Sequence, residues 1–176
     1  MKLIKLTALA FFLMSIVACN KDEESTSSDE IVGTWKMTEL NYTGTSITTI
    51  SATGQTATVS FSGIANNFVD AKVIFTNNPN KYASSGSYNV KLTTTSSPNG
   101  PIETNQGVQL METGAWVKNG NKIITTSSPA NDVSEAEILT LNSTTMKLRI
   151  QKTINQTLAP GVTSTSNTTS YQTLTR

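Results

Sequence analysis

The sequence contains no histidine and only one cysteine, and these two shortages exclude several kinds of functional site. Histidine is the commonest general base and the commonest metal ligand, and neither Ser-His-Asp nor Cys-His catalysis can be built without it. One cysteine cannot form an internal disulfide or supply the several thiolates of a structural zinc site. We therefore expect no enzyme activity, no metal and no cofactor.

Charge of one sign and helical periodicity are also scarce. The chain has 13 basic and 12 acidic residues, so its net charge gives no reason to expect nucleic acid as a partner. No stretch after the first 18 residues shows a convincing helical period. Thirty threonines, many of them next to Val, Ile, Phe or Tyr, favour pleated sheet instead. These features predict one all-β domain.

The first 18 residues have the pattern of a secretory signal peptide. Two lysines lie in Met1–Lys5, and Leu6–Ala18 is a run of 13 residues that are mostly apolar. This run is shorter than the roughly 20 residues that a helix needs to cross a bilayer, but it fits the apolar region of a signal peptide. We therefore predict that residues 1–18 direct export.

The apolar run ends in "IVAC", which places the only cysteine, Cys19, directly after a small residue. This segment resembles the lipobox of bacterial lipoproteins. The resemblance implies that the chain is cut before Cys19 and that acyl chains such as palmitate are attached there. Because one acyl chain anchors a protein only marginally, a multiply acylated Cys19 would provide the stable contact with the membrane. The alternative is an ordinary signal peptide with a chance cysteine.

A short acidic cluster follows the cysteine and consists of Lys21, Asp22, Glu23 and Glu24. It resembles the surface-export signal of lipoproteins of the Bacteroidetes type, which implies an outer-membrane protein that faces the cell exterior. The alternative is a solvated acidic linker. Residues 19–30 as a whole are polar and rich in serine, which predicts a flexible tether.

From Ile31 onward, apolar and polar residues alternate in a series of short runs. Trp35 and Met37 share one face of the first run, and similar runs recur through residues 31–176. Asn119-Gly120 between two such runs matches a type I′ hairpin loop. Adjacent hairpins without helical crossovers predict an antiparallel meander, which closes as a barrel or packs as a sandwich to protect its edges.

The first run favours the barrel because it contains "GTW", with Gly33 and Trp35. This motif resembles the G-x-W of lipocalins, in which the tryptophan closes one end of an eight-stranded up-and-down barrel. "GAWVKNGNKIIT" and "AEILTLNSTTMKLRI" look like the paired hairpins of bacterial lipocalin-like domains. The resemblance implies that residues 31–176 form a lipocalin-like β-barrel of about eight strands.

A barrel of this size can enclose one small ligand among its inward side chains. We therefore expect a small, mostly apolar molecule as the ligand. The predicted pocket residues are Met37, Phe61, Phe75, Tyr88 and Leu110. The alternative at each position is core packing, and a filled barrel would instead serve as a scaffold that contacts a protein or a glycan through its loops.

Two departures from the lipocalin pattern leave further alternatives open. Residues 93–107 and 155–168 are more polar than a minimal barrel requires, so we interpret them as loops that form a lid or decorate the surface. No residue clearly matches the lipocalin arginine that packs on the tryptophan. Lys147 and Arg149 are the nearest candidates, although the alternation around Arg149 favours an outward charge.

Three carboxylates lie close together in the sequence between residues 132 and 137. Glu135 and Glu137 share a strand face, with Asp132 nearby, so a paired-carboxylate site can be imagined. The alternative, which we prefer, is a solvated strand edge on which charges discourage aggregation.

Overall fold

The computed structural model describes residues 30–176, so the predicted signal peptide, Cys19 and the cluster from Lys21 to Glu24 lie outside the described residues. The described part is built from strands, and within it no helix has the length and hydropathy needed to cross a bilayer. The nine strands are β1 (Gly33–Ile50), β2 (Gln55–Thr76), β3 (Lys81–Ser96), β4 (Ile102–Leu110), β5 (Thr113–Asn119), β6 (Lys122–Ser128), β7 (Val133–Leu141), β8 (Thr145–Ala159) and β9 (Val162–Thr175).

Eight of these strands close into a ring, in which every pair of neighbours is antiparallel. The hydrogen-bonded order is β2-β1-β9-β8-β7-β6-β5-β3, and β3 pairs with β2 to complete the ring. The ninth strand, β4, pairs only with β3. The predicted all-β, antiparallel up-and-down barrel of about eight strands is confirmed, with β4 added beside the ring.

The barrel is closed over only one half of its length, because the strands differ greatly in length. At the closed half, β3 contacts β5 through Lys81–Ala83. Further along, β3 leaves β5 and pairs with β4 instead, while β8 continues past Ile150, the last of its residues that pairs with β7. The remaining six strands, β4-β3-β2-β1-β9-β8, form an open half-cylinder that we call the trough.

Two segments predicted as loops are strands in the structure. Residues 93–107 belong to β3 and β4 apart from the short turn 97–101, and residues 155–168 belong to β8 and β9 apart from the turn at Pro160 and Gly161. Both interpretations were wrong. These strands carry few apolar side chains on either face, so they lack the alternation that marks a half-buried strand.

The hairpin between β5 and β6 also differs from its prediction by one residue. Asn119 pairs with Lys122, so the two loop residues are Gly120 and Asn121 instead of Asn119 and Gly120. Only Gly120 has positive φ, at 57°, as in a type II′ turn, whereas a type I′ turn requires positive φ at both central residues.

Two tryptophans anchor the core at the closed end of the barrel. Trp35 is fully buried and donates its indole N–H to the carbonyl of Ile31 at 2.8 Å. Trp116 is also buried and donates its indole N–H to the carbonyl of Thr76 at 2.9 Å. Its ring meets the ring of Phe75 edge-on, with the two ring centroids 5.6 Å apart. Because both polar N–H groups are satisfied, these large rings are buried without leaving an unpaired donor.

Candidate functional site

A cavity of about 310 Å³ lies inside the barrel, between the hydrophobic core and the trough. Most of its wall is aliphatic or aromatic, and its eleven apolar lining residues come from eight of the nine strands, all except β5. These side chains are Met37, Val73, Phe75, Tyr82, Leu110, Ile123, Val133, Ala136, Leu148, Ile150 and Leu174. This volume is at the lower end of the range for small-molecule sites, so the cavity suits a small ligand or part of a larger one.

The buried part of this wall is formed by side chains that point into the barrel, because successive residues of a strand face opposite sides of the sheet. Met37, Ile123, Leu148 and Leu174 are each at most 6% exposed, yet all contact the cavity. On β9 the inward residues are even-numbered, and Gln172 continues the wall from Leu174 toward the open half. The part of the cavity wall that adjoins the core is therefore rigid and apolar, since Met37, Ile123, Leu148 and Leu174 also belong to the hydrophobic core. We call this part the floor of the cavity.

One wall of the cavity is polar because Tyr82 lies there with its hydroxyl near Glu112 and Thr125. Burial raises the pKa of the Tyr82 hydroxyl above 10.0, the adjacent Glu112 carboxylate raises it further, and a hydrogen bond with Thr125 acts in the opposite sense. The phenol therefore keeps its proton at neutral pH. It offers a hydrogen-bonding group beside an otherwise apolar floor.

Three charged residues surround the mouth of the cavity. Glu112 follows β4, Asp132 precedes β7, and Lys152 lies on β8 just beyond the last residue paired with β7. All three are exposed to solvent. The cavity thus changes from apolar at the core to polar where it meets water.

The five pocket residues predicted from the sequence divide between the cavity and the trough. Met37, Phe75 and Leu110 line the cavity. Phe61 lies in the trough, with its ring 6.3 Å from that of Tyr42. Tyr88 is outside the cavity lining and packs against Phe68, with the two ring centroids 5.7 Å apart.

Several lining residues were absent from the predicted pocket, above all Tyr82, Ile123 and Leu174. The sequence holds a signal for Tyr82, because it shares its parity with Tyr88 along β3. Leu174 lies in β9 between two threonines, and Ile123 is followed in β6 by a second isoleucine and then by threonines and serines, so neither strand shows a clear apolar alternation.

The Gly33 and Trp35 motif lies at the closed end of the barrel, where an arginine covers it. The guanidinium carbon of Arg176 is 4.0 Å from the centroid of the Trp35 ring, and its Nη2 donates to the carbonyls of Glu30 and Val32, each at 2.7 Å. The arginine that the lipocalin resemblance implies is therefore Arg176.

Neither Lys147 nor Arg149, the two candidates taken from the sequence, is the arginine that packs on Trp35. Arg149 points outward from β8 and forms an ion pair with Glu137, and Lys147 is exposed on the same strand. Alternation around Arg149 favours an outward charge, and the structure agrees. Closure of the ring could have indicated Arg176, because the last strand of such a barrel pairs with the first.

The carboxylates on β7 are each paired with a cation on a neighbouring strand. Glu137 pairs with Arg149 of β8, and Glu135 pairs with Lys122 of β6. Asp132 lies apart from them at the cavity mouth. Across residues 30–176, no cluster of three or more Asp, Glu, His or Cys side chains has the arrangement of a metal site.

A second, shallower depression of about 390 Å³ lies at β1, β8 and β9. It is larger than the cavity, but it is open to solvent and lined by hydroxyl and amide side chains such as Thr43, Thr45, Gln151 and Asn167. An open surface of this kind does not exclude water, so we place the candidate site inside the barrel.

Comparison with known proteins identifies one family. The family model described as "Lipocalin-like domain" matches residues 31–148, which span β1 to β7 and the start of β8. Comparison with the curated proteins gave no match, and comparison with the solved structures gave none either.

Proposed function

We propose, from the premise that the chain belongs to the lipocalin-like domain family, that its barrel is a non-catalytic binding domain for a small, mostly apolar molecule. The observation that carries this proposal is the cavity of about 310 Å³ inside the closed half of the barrel. An apolar ligand gains about 0.8 kcal/mol for each CH₂ group that it buries there.

The absence of catalysis is part of the proposal. The sequence has no histidine to act as a general base, and Glu135 and Glu137 are paired with cations on the outer surface of the barrel. Tyr82 keeps its proton, so it suits a role as a hydrogen-bonding group toward the ligand.

The proposed location is the outer membrane, with the barrel facing the cell exterior. Support comes from the sequence alone: the apolar run Leu6–Ala18, the cysteine at Cys19 and the cluster from Lys21 to Glu24. Acyl chains on Cys19 would hold the protein at the membrane, and residues 19–30 would let the barrel stand away from it.

A second candidate function is a scaffold that contacts a protein or a glycan and carries no internal ligand. The observation in its favour is a pair of exposed sheet edges, on β4 and on the part of β8 after Ile150, each of which has a strand partner on one side only among the described residues. Unpaired edges can accept an added strand. The apolar cavity inside the barrel favours ligand binding over this scaffold function.

The test is to block the cavity with one substitution. Ala136 lines the cavity, so Ala136→Phe places a ring inside it, whereas Ala115 lies on the opposite face of its strand from the buried Trp116, and Ala115→Phe is the matched control. Native mass spectrometry of the full chain isolated from its own cells should show a bound small molecule. A lipophilic fluorescent dye should compete with that molecule.

We expect Ala136→Phe to abolish ligand and dye binding and Ala115→Phe to retain both. If the unsubstituted chain carries no ligand and binds no dye, the binding proposal is wrong and the scaffold function is favoured. If Ala136→Phe binds as well as the unsubstituted chain, the ligand is held elsewhere.

A further inference from the structure

The inner face of the trough continues the wall of the cavity without interruption. On β8 the even-numbered residues point inward, so Leu148 and Ile150 of the cavity are followed by Ile154 of the trough. On β4 the same alternation leads from Leu110 of the cavity to Ile102 at the far end. Ile154 is 39% exposed and Ile102 is 59% exposed. A molecule seated in the cavity can therefore extend along this face.

Two aromatic rings cover the centre of the trough floor because glycine lies opposite each of them. A Cβ on Gly44 would overlap the ring of Phe61, and a Cβ on Gly63 would overlap the ring of Tyr42. Each ring therefore lies across the backbone of the neighbouring strand, where a side chain would otherwise stand. The ring faces that are turned away from the backbone, toward the interior of the trough, remain available to a ligand, and both residues are only partly buried.

Hydroxyl groups occupy the floor beside the rings. Ser46 Oγ lies 3.0 Å from Ser164 Oγ and 3.0 Å from Ser166 Oγ, in a chain of hydrogen bonds between β1 and β9. Register places further hydroxyls on this same face, and they are those of Thr48, Thr94, Thr104, Thr168 and Ser170. The rings and the hydroxyls thus form adjacent parts of one surface.

This composition limits the chemistry of what the trough can hold. A plain hydrocarbon chain would remove these hydroxyls from water, and each hydroxyl that has no hydrogen-bond partner within the protein would then cost about 1–3 kcal/mol. Lys152, at the mouth of the cavity, is the only charged inward residue of the six trough strands, so the trough beyond it offers no partner for an ion pair. An uncharged group that carries several hydroxyls and an apolar face satisfies both the rings and the serines.

We propose that the trough is a head-group subsite for an amphiphile whose apolar tail lies in the cavity and whose uncharged head is rich in hydroxyl groups, as in an alkyl glycoside or a neutral glycolipid. This inference rests on the proposed function, because the tail must first occupy the cavity. Phe61 and Tyr42 contact the apolar face of the head, and Ser46 and Ser166 exchange hydrogen bonds with its hydroxyls.

The test compares ligands that share one tail. Titration calorimetry of the full chain is performed with octanol, octyl glucoside and octyl sulfate below the concentrations at which they form micelles, and with glucose alone. Two net hydrogen bonds correspond to about a tenfold change in affinity, so we expect octyl glucoside to bind about tenfold more tightly than octanol. Octyl sulfate should gain no such factor, and glucose alone should not bind detectably.

Variants then locate the gain. The double substitution Ser46→Ala with Ser166→Ala, and separately Phe61→Leu, should bring octyl glucoside to within about threefold of octanol while leaving octanol unchanged. Ser60→Ala is the matched control, because Ser60 lies on the outer face of β2, and it should retain the full gain.

The outcomes separate this inference from the function on which it rests. If octanol binds but octyl glucoside binds no more tightly, the head-group subsite is wrong and the cavity proposal stands. If the gain persists in both the serine variant and Phe61→Leu, its location in the trough is wrong. If none of the alkyl compounds binds, the proposed function itself fails.

Discussion

The guanidinium of Arg176 covers the buried ring of Trp35 at 4.0 Å, although 140 residues separate them in the chain. The contact exists because β9 pairs with the beginning of β1 when the ring of strands closes. Two hydrogen bonds from Nη2 to the carbonyls of Glu30 and Val32 fix the guanidinium in this position. Arg176 therefore joins the end of the last strand to the segment that leads into the first.

Arg176→Ala should lower the free energy of unfolding by about 1–3 kcal/mol, because it removes a cation–π contact and two charge-assisted hydrogen bonds. Arg149→Ala is the matched control, since its outward pair with the partly exposed Glu137 contributes at most about 1 kcal/mol. Urea unfolding followed by tryptophan fluorescence measures both. Equal losses in the two variants would contradict a special role for Arg176.

Close packing around Gly114 leaves no room for a side chain, so a substitution there should destabilise the fold. A Cβ at this position would overlap the carbonyl oxygen of Thr126 and lie 2.8 Å from Cε1 of Tyr82. Gly114→Ala should therefore lower the free energy of unfolding by more than about 2 kcal/mol, since backbone must move to admit the methyl group. Gly100 has open space around its Cβ position and no positive φ, so Gly100→Ala should change stability by less than about 1 kcal/mol.

The sequence predicted the barrel because period-two alternation is a local signal, and it is strong where one face is buried. Trp35 and Met37 illustrate this, since both point into the core from the first strand. Residues 155–168 were missed because β8 and β9 are polar or exposed on both faces there. Hydrogen bonds to their neighbours, and not a buried face, define these strands.

The pocket was only partly predictable, for a related reason. Alternation reports the face of a strand on which a side chain lies, but not its height along the barrel. Phe61 and Phe75 both point inward from β2, yet only Phe75 lies at the level of the cavity. That level depends on register and on the bulges between Asn66 and Lys72, which are set by the neighbouring strand.

Alkaline pH should destabilise the fold through Tyr82. Its pKa is raised above 10.0 by burial first and by Glu112 second, so the folded state holds the phenolic proton more tightly than the unfolded state does. The resulting stabilisation is complete below the unfolded pKa and is lost as pH rises through the folded pKa. The free energy of unfolding should therefore fall as the pH rises above about 9, where the phenol of the unfolded chain begins to ionise.

Tyr82→Phe isolates this effect, because it removes the titrating group and keeps the ring. Its free energy of unfolding should fall less steeply over the same pH range than that of the unsubstituted chain. Part of the slope should remain, since burial also raises the pKa of Tyr42 and of Tyr88. Identical slopes for the two chains would show that Tyr82 ionises equally well in the folded and unfolded states.

Membrane attachment should depend on the single thiol of the chain. Cys19→Ala removes the site of acylation in the proposed lipoprotein, so the protein should move from the membrane fraction to the soluble fraction of cells. Metabolic labelling with an alkyne-bearing fatty acid should mark the unsubstituted chain and not the variant. Persistent membrane retention without the thiol would contradict the lipoprotein proposal.

The acidic cluster makes a prediction that is independent of the anchor. Replacing Lys21, Asp22, Glu23 and Glu24 by alanine should leave Cys19 acylated and the protein in the membrane fraction, because the cysteine and the apolar run before it are unchanged. If the cluster directs export to the surface, protease added to intact cells should digest the unsubstituted protein and spare the variant. A matched control replaces Ser25, Thr26, Ser27 and Ser28 by alanine, which alters the same tether without changing its charge, and this variant should remain accessible. Equal digestion of all three proteins in intact cells would exclude the cluster as the export signal, whereas protection of all three would place the barrel on the inner side of the membrane.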